Sequence, residues 1–344
     1  MKPGDGGETA LLAPPRPAGL EAGPRPVLGV VIAAYQAAGT IEAAVSSVLN
    51  QTEPPAELVV CDDGSTDSLQ QALAPFGDAV SLLRIEHAGE SAAKNAGAAA
   101  LSTPWIVFLD ADDAWAPERL QRMADLGAAR PDLDLLSTDA WFLVGGRRTG
   151  RFHGPQHPFP VDDQATELLG RDWLFAGVAV RRSAWERVGG FDVTISYAAD
   201  WHCWLRLVLS GSLAGCVDEP LVDYVIHDGS LSANRSASLL ARVRVLDDMH
   251  QRYALTGEQR LAAAGMRAVS LRRARLAQAE HALLSGRAAR SACLAYACSP
   301  GVPPVQRARA IAAMAAPRMA GRRLRRTVAA AGRATSDRST PSPR

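Results

Sequence analysis

WIVFLDADD, residues 105–113, passes from an apolar run long enough for a buried strand into three aspartates within four positions. A run that is apolar at every position is the pattern of a strand covered by helices on both faces. The same texture recurs upstream. VLGVVIAA spans Val27 to Ala34, and ELVVCDDGSTD, residues 57–67, again moves from apolar to acidic. Between these two, Thr40 is placed to cap a helix whose Ile41, Ala44, Val45, Val48 and Leu49 recur at helical spacing, until Pro54-Pro55 stops it. Val80 to Ile85 reads as a further strand, Glu90 to Leu101 as a small-residue helix, and Pro117 opens a helix carrying Leu120, Met123 and Leu126. Strands alternating with helices predict an α/β body, mainly a parallel sheet flanked by helices.

Outward from this body the texture changes. Residues 1–26 are rich in Gly, Pro and Ala without periodicity and are expected to form a disordered arm. Residues 145–165 mix glycines, prolines and charges, the composition of a mobile loop near the substrate side. Phe175 to Val180 reads as a strand and Asp200 to Leu209 as a helix with Trp201, Trp204, Leu205 and Val208 on one face. From about Leu239, Ala, Arg and Leu at helical spacing predict a helical appendage. The expected organisation is therefore an arm at 1–26, the α/β domain at 27–235, a helical region at 236–320 and a disordered basic tail at 321–344.

Among 344 residues, 37 basic and 36 acidic side chains nearly cancel, which argues against a chain-wide nucleic-acid surface. The balance hides a split. Residues 301–344 hold ten arginines and a single acid, Asp337. This end reads either as an amphipathic segment drawn to anionic lipid or as a solvated arginine-rich tail, and it lacks the interleaved aromatics of an RNA binder. Five scattered cysteines without a C-x-x-C pair fit a reducing compartment. No run has the length or apolarity of a signal peptide or a membrane span, so the expected location is cytoplasmic.

Ligands of open parallel sheets sit at the carboxyl ends of the strands, where both acidic clusters fall. Strand alternation lets Asp110 and Asp112 face a common ligand if extended geometry persists. Carboxylates so crowded call for a cation, and a hard divalent ion such as Mg²⁺ or Mn²⁺ shared with phosphate oxygens suits them.

Taken in order, VVIAAYQAAGTIEAAVSSVLNQT, ELVVCDDGSTD, GESAAKNAGAAA and WIVFLDADD resemble the N-terminal half of family 2 glycosyltransferases of the GT-A fold. The resemblance continues through VRRSAWERVGGFD, ADWHCWLRL and YVIHDGSLS and covers about residues 27–235. It implies an inverting transferase that moves a sugar from a nucleotide-diphosphate donor to an acceptor hydroxyl, as in polysaccharide or cell-envelope synthesis, with a divalent cation. In that pattern Tyr35 and Asp63 contact the nucleotide base, Lys94 and Asn95 lie beside the nucleotide and donor sugar, and Asp110 meets the ribose or the metal shell. Asp112 and His227 fall to the metal, and Asp200 to the general base. Asp113 reads as a further contact or as the cap of the helix near Pro117, and Trp201 and Trp204 as a sugar wall or as core. Ala199 stands where the family usually has Glu, and Val225 where it often has Arg. The acceptor is left open as a glycan, a lipid-linked sugar or a small molecule, with peripheral membrane contact through the basic end. The alternatives are a non-catalytic nucleotide-sugar-binding protein and another α/β nucleotide enzyme, such as a sugar nucleotidyltransferase. A dehydrogenase is disfavoured because no G-x-G-x-x-G follows the first strand.

Overall fold

The computed structural model describes residues 10–175, 177–227 and 234–337, and the side chains of residues up to 327. Along the chain run β1 (Leu11–Leu12), β2 (Leu28–Ala34), α1 (Ile41–Leu49), β3 (Glu57–Asp62), α2 (Leu69–Leu73), β4 (Ser81–Arg84) and α3 (Glu90–Ala100). Next come β5 (Trp105–Asp110), β6 (Ala114–Trp115), α4 (Arg119–Ala129), β7 (Leu135–Val144), β8 (Arg147–Arg151), α5 (Gln164–Gly170), β9 (Ala179–Arg181) and α6 (Arg182–Val188). The chain continues through α7 (Ala199–Leu209), β10 (Ala214–Ile226), α8 (Arg235–Arg252), α9 (Gly257–Ser285), α10 (Ala289–Ala297), α11 (Pro304–Ala315) and α12 (Pro317–Asp337). Two compact units result, residues 1–230 with 248–263, and residues 231–247 with 264–344.

The first unit is built on a sheet ordered β1-β10-β7-β9-β5-β2-β3-β4. Pairings β5–β2, β2–β3, β3–β4 and β7–β10 are parallel, and β9 runs antiparallel between β5 and β7. Apolar strands are stable here because both faces are covered, and Val30, Ile32, Val60 and Val107 are fully buried. The carboxyl ends of β2, β3, β5, β7 and β10 therefore share one edge.

Several expectations are corrected. The arm expected to be disordered is ordered from residue 10. Leu11 and Leu12 pair with Val217 and Cys216, the Gly23 N–H donates to the Ala128 carbonyl, and Arg130 donates to the Pro14 carbonyl. Backbone pairing with a sheet edge supplies what the composition lacks. The loop expected at 145–165 contains β8, hairpinned to β7 through Gly145-Gly146, both at positive φ as a tight hairpin turn requires. Helix α12 continues to Asp337 where a disordered tail was expected from residue 321, and residues 338–344 lie outside the described residues. Thr40 leaves its cap role unfilled, its hydroxyl donating to the Ala37 carbonyl. The strand expected at Phe175 to Val180 starts only at Ala179.

Among the described residues no helix is long and apolar enough to cross a membrane. In the second unit Ala279, Cys293, Tyr296, Val302, Ala310 and Ala313 form a separate apolar cluster.

Helix α3 lies close on β2 because Gly97 has no Cβ; one built there would sit 2.5 Å from Val31 Cγ1. Gly97→Val is expected to lower the unfolding free energy by about 2 kcal/mol through overpacking, read by urea denaturation.

Candidate active site

Loops after β2 and β3 are stitched together before they present anything to a ligand. Gln36, at φ 51°, accepts the N–H groups of Thr66 and Asp67 at 2.9 and 3.0 Å, and the Asp67 carboxylate accepts the Ala38 N–H at 2.9 Å. Tyr35 is half exposed and stacks on the His87 ring with centroids 4.3 Å apart. The carboxylate of Asp63, expected to read a base N–H, accepts the Ala88 and Gly89 N–H groups at 2.8 and 2.9 Å and lies 2.9 Å from His87 Nδ1. With its side chain 3% exposed, Asp63 is first a brace that holds His87 under Tyr35. The physical reason is the buried loop backbone, whose N–H groups need acceptors.

One edge further in lies the charged centre. Lys94, 2% exposed on α3, places Nζ 2.7 Å from Asp110 Oδ1 at the end of β5 and also pairs with Glu90 one helical turn back. Burial disfavours the ammonium, but Asp110 and Glu90 outweigh it and hold the Lys94 pKa above the ordinary lysine value. Lys94 pulls the Glu90 carboxyl down, yet desolvation and the charges of Asp110 and Asp200 leave it above its usual value. Asp200 thus acts electrostatically on the same cluster. It sits in the first turn of α7, where its Oδ1 accepts the Trp201 N–H at 2.7 Å.

Asp110, which ends β5, and Asp112 and Asp113 just beyond it part company because the chain turns there, the Asp113 N–H donating to the Asp110 carbonyl. Asp110 meets Lys94. Asp112 Oδ2 lies 2.8 Å from His227 Nε2, beyond the end of β10. Asp113, buried, accepts the Val225 N–H at 2.8 Å, and burial with the charges of Asp110 and Asp112 raises its pKa well above the ordinary value. It caps no helix, since α4 begins at Arg119. The common face expected for Asp110 and Asp112 is therefore replaced by two neighbouring pairs, Lys94–Asp110 and Asp112–His227. The carboxylate and the imidazole, both partly exposed, bond each other at 2.8 Å, and among the described residues no group of three or more His, Cys, Asp or Glu side chains gathers as a complete metal site; the pair supplies two donors of the kind a divalent cation takes.

Asn95, expected beside the nucleotide, turns elsewhere. Its amide donates to the Phe191 carbonyl at 2.8 Å and accepts the Phe191 N–H at 2.9 Å. Arg206 donates to the Val188 carbonyl at 2.6 Å and also to that of Gly190. Gly189 and Gly190, at φ 76° and 69°, make a turn that these two side chains clamp because its backbone groups have no strand to pair with. Trp201 and Trp204 are fully buried and form no sugar wall; Trp201 Nε1 donates to the Leu168 carbonyl. His87, Glu90 and Arg206 went unread in the sequence. A Glu four residues before a rare lysine was the available signal for Glu90.

Behind α7, the fully buried His202 bonds Asp248 at 2.9 Å, and Asp248 in turn pairs with Arg252.

Comparison with known proteins gives the class. Residues 29–187 match the family model described as Glycosyl transferase family 2. The UDP-Glc:alpha-D-GlcNAc-diphosphoundecaprenol beta-1,3-glucosyltransferase WfgD of Escherichia coli is 31% identical over 227 residues, 64% of this chain and 86% of that protein. Succinoglycan biosynthesis protein ExoO of Rhizobium meliloti (strain 1021) is 30% identical over 249 residues, 67% of this chain and 70% of its own. An uncharacterized glycosyltransferase of Nostoc sp. is 31% identical over 192 residues, and there the match takes in 52% of this chain and 56% of the relative. The chain belongs to the family 2 glycosyltransferases, enzymes that transfer sugars. Among solved structures, Staphylococcus aureus TarS 1–349 in complex with UDP-GlcNAc aligns at a TM-score of 0.59 and 13% identity, over 83% of this chain and 90% of that one. The mannosyltransferase PcManGT from Pyrobaculum calidifontis, in complex with GDP-Man and Mn²⁺, aligns at 0.54 and 19%, over 89% of each chain. These likenesses establish the GT-A type fold that the sequence resemblance implied.

Desolvation lowers the His202 pKa below its ordinary value, against Asp248 and Asp192, which raise it, and with Arg206, which lowers it further. The unfolded chain then binds the proton more readily, so stability falls as pH drops through about 6.5. The urea midpoint should decline between pH 7 and 5, and His202→Gln should flatten that decline; an unaltered slope would exclude His202 as its source.

Proposed function

We propose that this enzyme is an inverting glycosyltransferase, using a nucleotide-diphosphate sugar to glycosylate a hydroxyl of a lipid-linked acceptor, from the cytoplasmic side of a membrane. The observation that carries this reading is the meeting of Lys94–Asp110 and Asp112–His227 at the carboxyl edge of the sheet, with the charge of Asp200 acting on the same cluster. The lipid-linked acceptor is argued from WfgD, whose name specifies a diphosphoundecaprenol-linked one.

In this reading the base of the donor lies against Tyr35, whose ring is set by His87 and, through it, by Asp63. Lys94 holds Asp110 in place for the ribose and the diphosphate. Asp112 and His227 would hold a divalent cation, which when bound offsets the charge of the diphosphate. Asn95 and Arg206 fix the Gly189-Gly190 turn on the acceptor side. Asp200 takes the proton of the acceptor hydroxyl as that oxygen bonds to the anomeric carbon. The glycosidic bond to phosphate breaks from the opposite face, its electron pair leaving with the diphosphate, and a single displacement inverts the configuration. Ala199 leaves Asp200 without the adjacent glutamate usual in the family, so Asp200 works alone at this position.

Asp200→Asn is expected to keep donor affinity and lose turnover by ~10² or more, measured as donor consumption with acceptor; near-normal turnover would remove it as the base. Thermal shifts with nucleoside diphosphates and nucleotide sugars, with and without Mn²⁺, should show metal-dependent stabilisation by one nucleotide. Asp112→Ala should erase the metal dependence and leave the melting temperature of the unliganded enzyme nearly unchanged.

A further inference from the structure

The second unit carries a surface that the transfer reaction does not use. Between residues 301 and 327 the sequence has seven arginines and neither Asp nor Glu. In α12 the arginines are not scattered. Arg318, Arg322, Arg323, Arg325 and Arg326 are exposed, together with Met319, while Ala320, Gly321 and Leu324 turn inward. At 100° per residue the six exposed positions occupy one continuous side of the helix.

That side is held outward by a built seat. A Cβ on Gly321 would lie 2.3 Å from the Leu283 carbonyl oxygen, so only glycine lets α12 lie this close to α9. Arg325 Nη1 reaches across to the Leu284 carbonyl at 2.8 Å, and Ala320 packs on the apolar cluster of this unit. On α11, Val305 and Ile311 are 63% and 52% exposed, and Met319 is 72% exposed. Five exposed arginines with Met319 among them, in a stretch of sequence without Asp or Glu, and exposed aliphatic side chains on the preceding helix are the chemistry of an interface with anionic lipid headgroups.

We infer that the exposed side of α12, with Val305 and Ile311 of α11, is a docking surface for an anionic lipid bilayer. The arginines pair with headgroup phosphates, and the aliphatic side chains enter the headgroup boundary. Nucleic acid is the disfavoured occupant, because no aromatic side chain stands among the arginines to stack on a base. The surface is independent of the sugar-transfer site, and its test can fail while that reading stands.

The test is co-sedimentation of the full chain with vesicles of phosphatidylcholine alone, or with about one-third phosphatidylglycerol, at low and moderate salt. Binding is expected only with phosphatidylglycerol and should weaken with salt. The triple variant Arg322→Gln, Arg323→Gln, Arg326→Gln should bind about a hundredfold more weakly, near fivefold per arginine, with an unchanged melting temperature and unchanged metal-dependent nucleotide binding. The triple Arg→Lys variant should retain most of the binding, and Ile311→Ser with Met319→Ser should weaken it with little change in salt dependence. Equal binding to both vesicles, equal binding by the Gln variant, or tighter binding of poly(U) than of the anionic vesicles at the same salt would overturn the inference.

Discussion

A lysine ammonium almost wholly inside an α/β body is the constraint around which the first unit is arranged. Uncompensated burial would drive Lys94 toward its neutral form; Asp110 at 2.7 Å and Glu90 keep it charged. Because Lys94 belongs to the helix that crosses from β4 and Asp110 ends β5, the pair pins the helical layer to the sheet where the chain must turn. That turn sends Asp112 to His227 and Asp113 to the backbone of β10. Removing Asp110 would leave a cation that is 2% exposed with only the more exposed Glu90, a defect of a different order from loss of a surface ion pair.

How much of this was legible follows from which physical signal each element carries. Strands β2, β3 and β5 announce themselves because burial on two faces demands an unbroken apolar run. Strands β7 and β10 are as central, yet Ser137, Thr138 and Asp139 interrupt one and Asp218, Glu219 and Pro220 the other. Their polar positions are met by partners far off in sequence: the buried Asp139 is paired with Arg151 and accepts the His153 N–H. No local pattern predicts such compensation. The ordering of residues 10–26 was hidden for a related reason, since it rests on partners far off in sequence: backbone bonds to β10 and α4, the Arg130 side chain on the Pro14 carbonyl, and Arg25 paired with Glu53 and Asp125.

At the candidate site, residue types were read better than their contacts. The sequence resemblance brought Asp112 and His227 to one place across more than a hundred residues, and the fold sets them 2.8 Å apart. It could not show that Asp63 and Asn95 spend their hydrogen-bonding groups on loop backbone. An Asn amide clamping a glycine turn and an Asn amide facing a ligand have the same sequence signature; only the position of Phe191 separates them.

The outer edge of β10 is closed by two very short strands, β1 at Cys216 and Val217 and β6 at Val222 and Asp223. Thirteen residues of strand would otherwise present a row of unmet N–H and C=O groups, a template on which another chain can polymerise. Leu11 and Leu12 thus act as a guard against aggregation, two residues that screen part of a strand much longer than themselves. Altering Leu11 and Leu12 bears first on solubility, before any effect on catalysis.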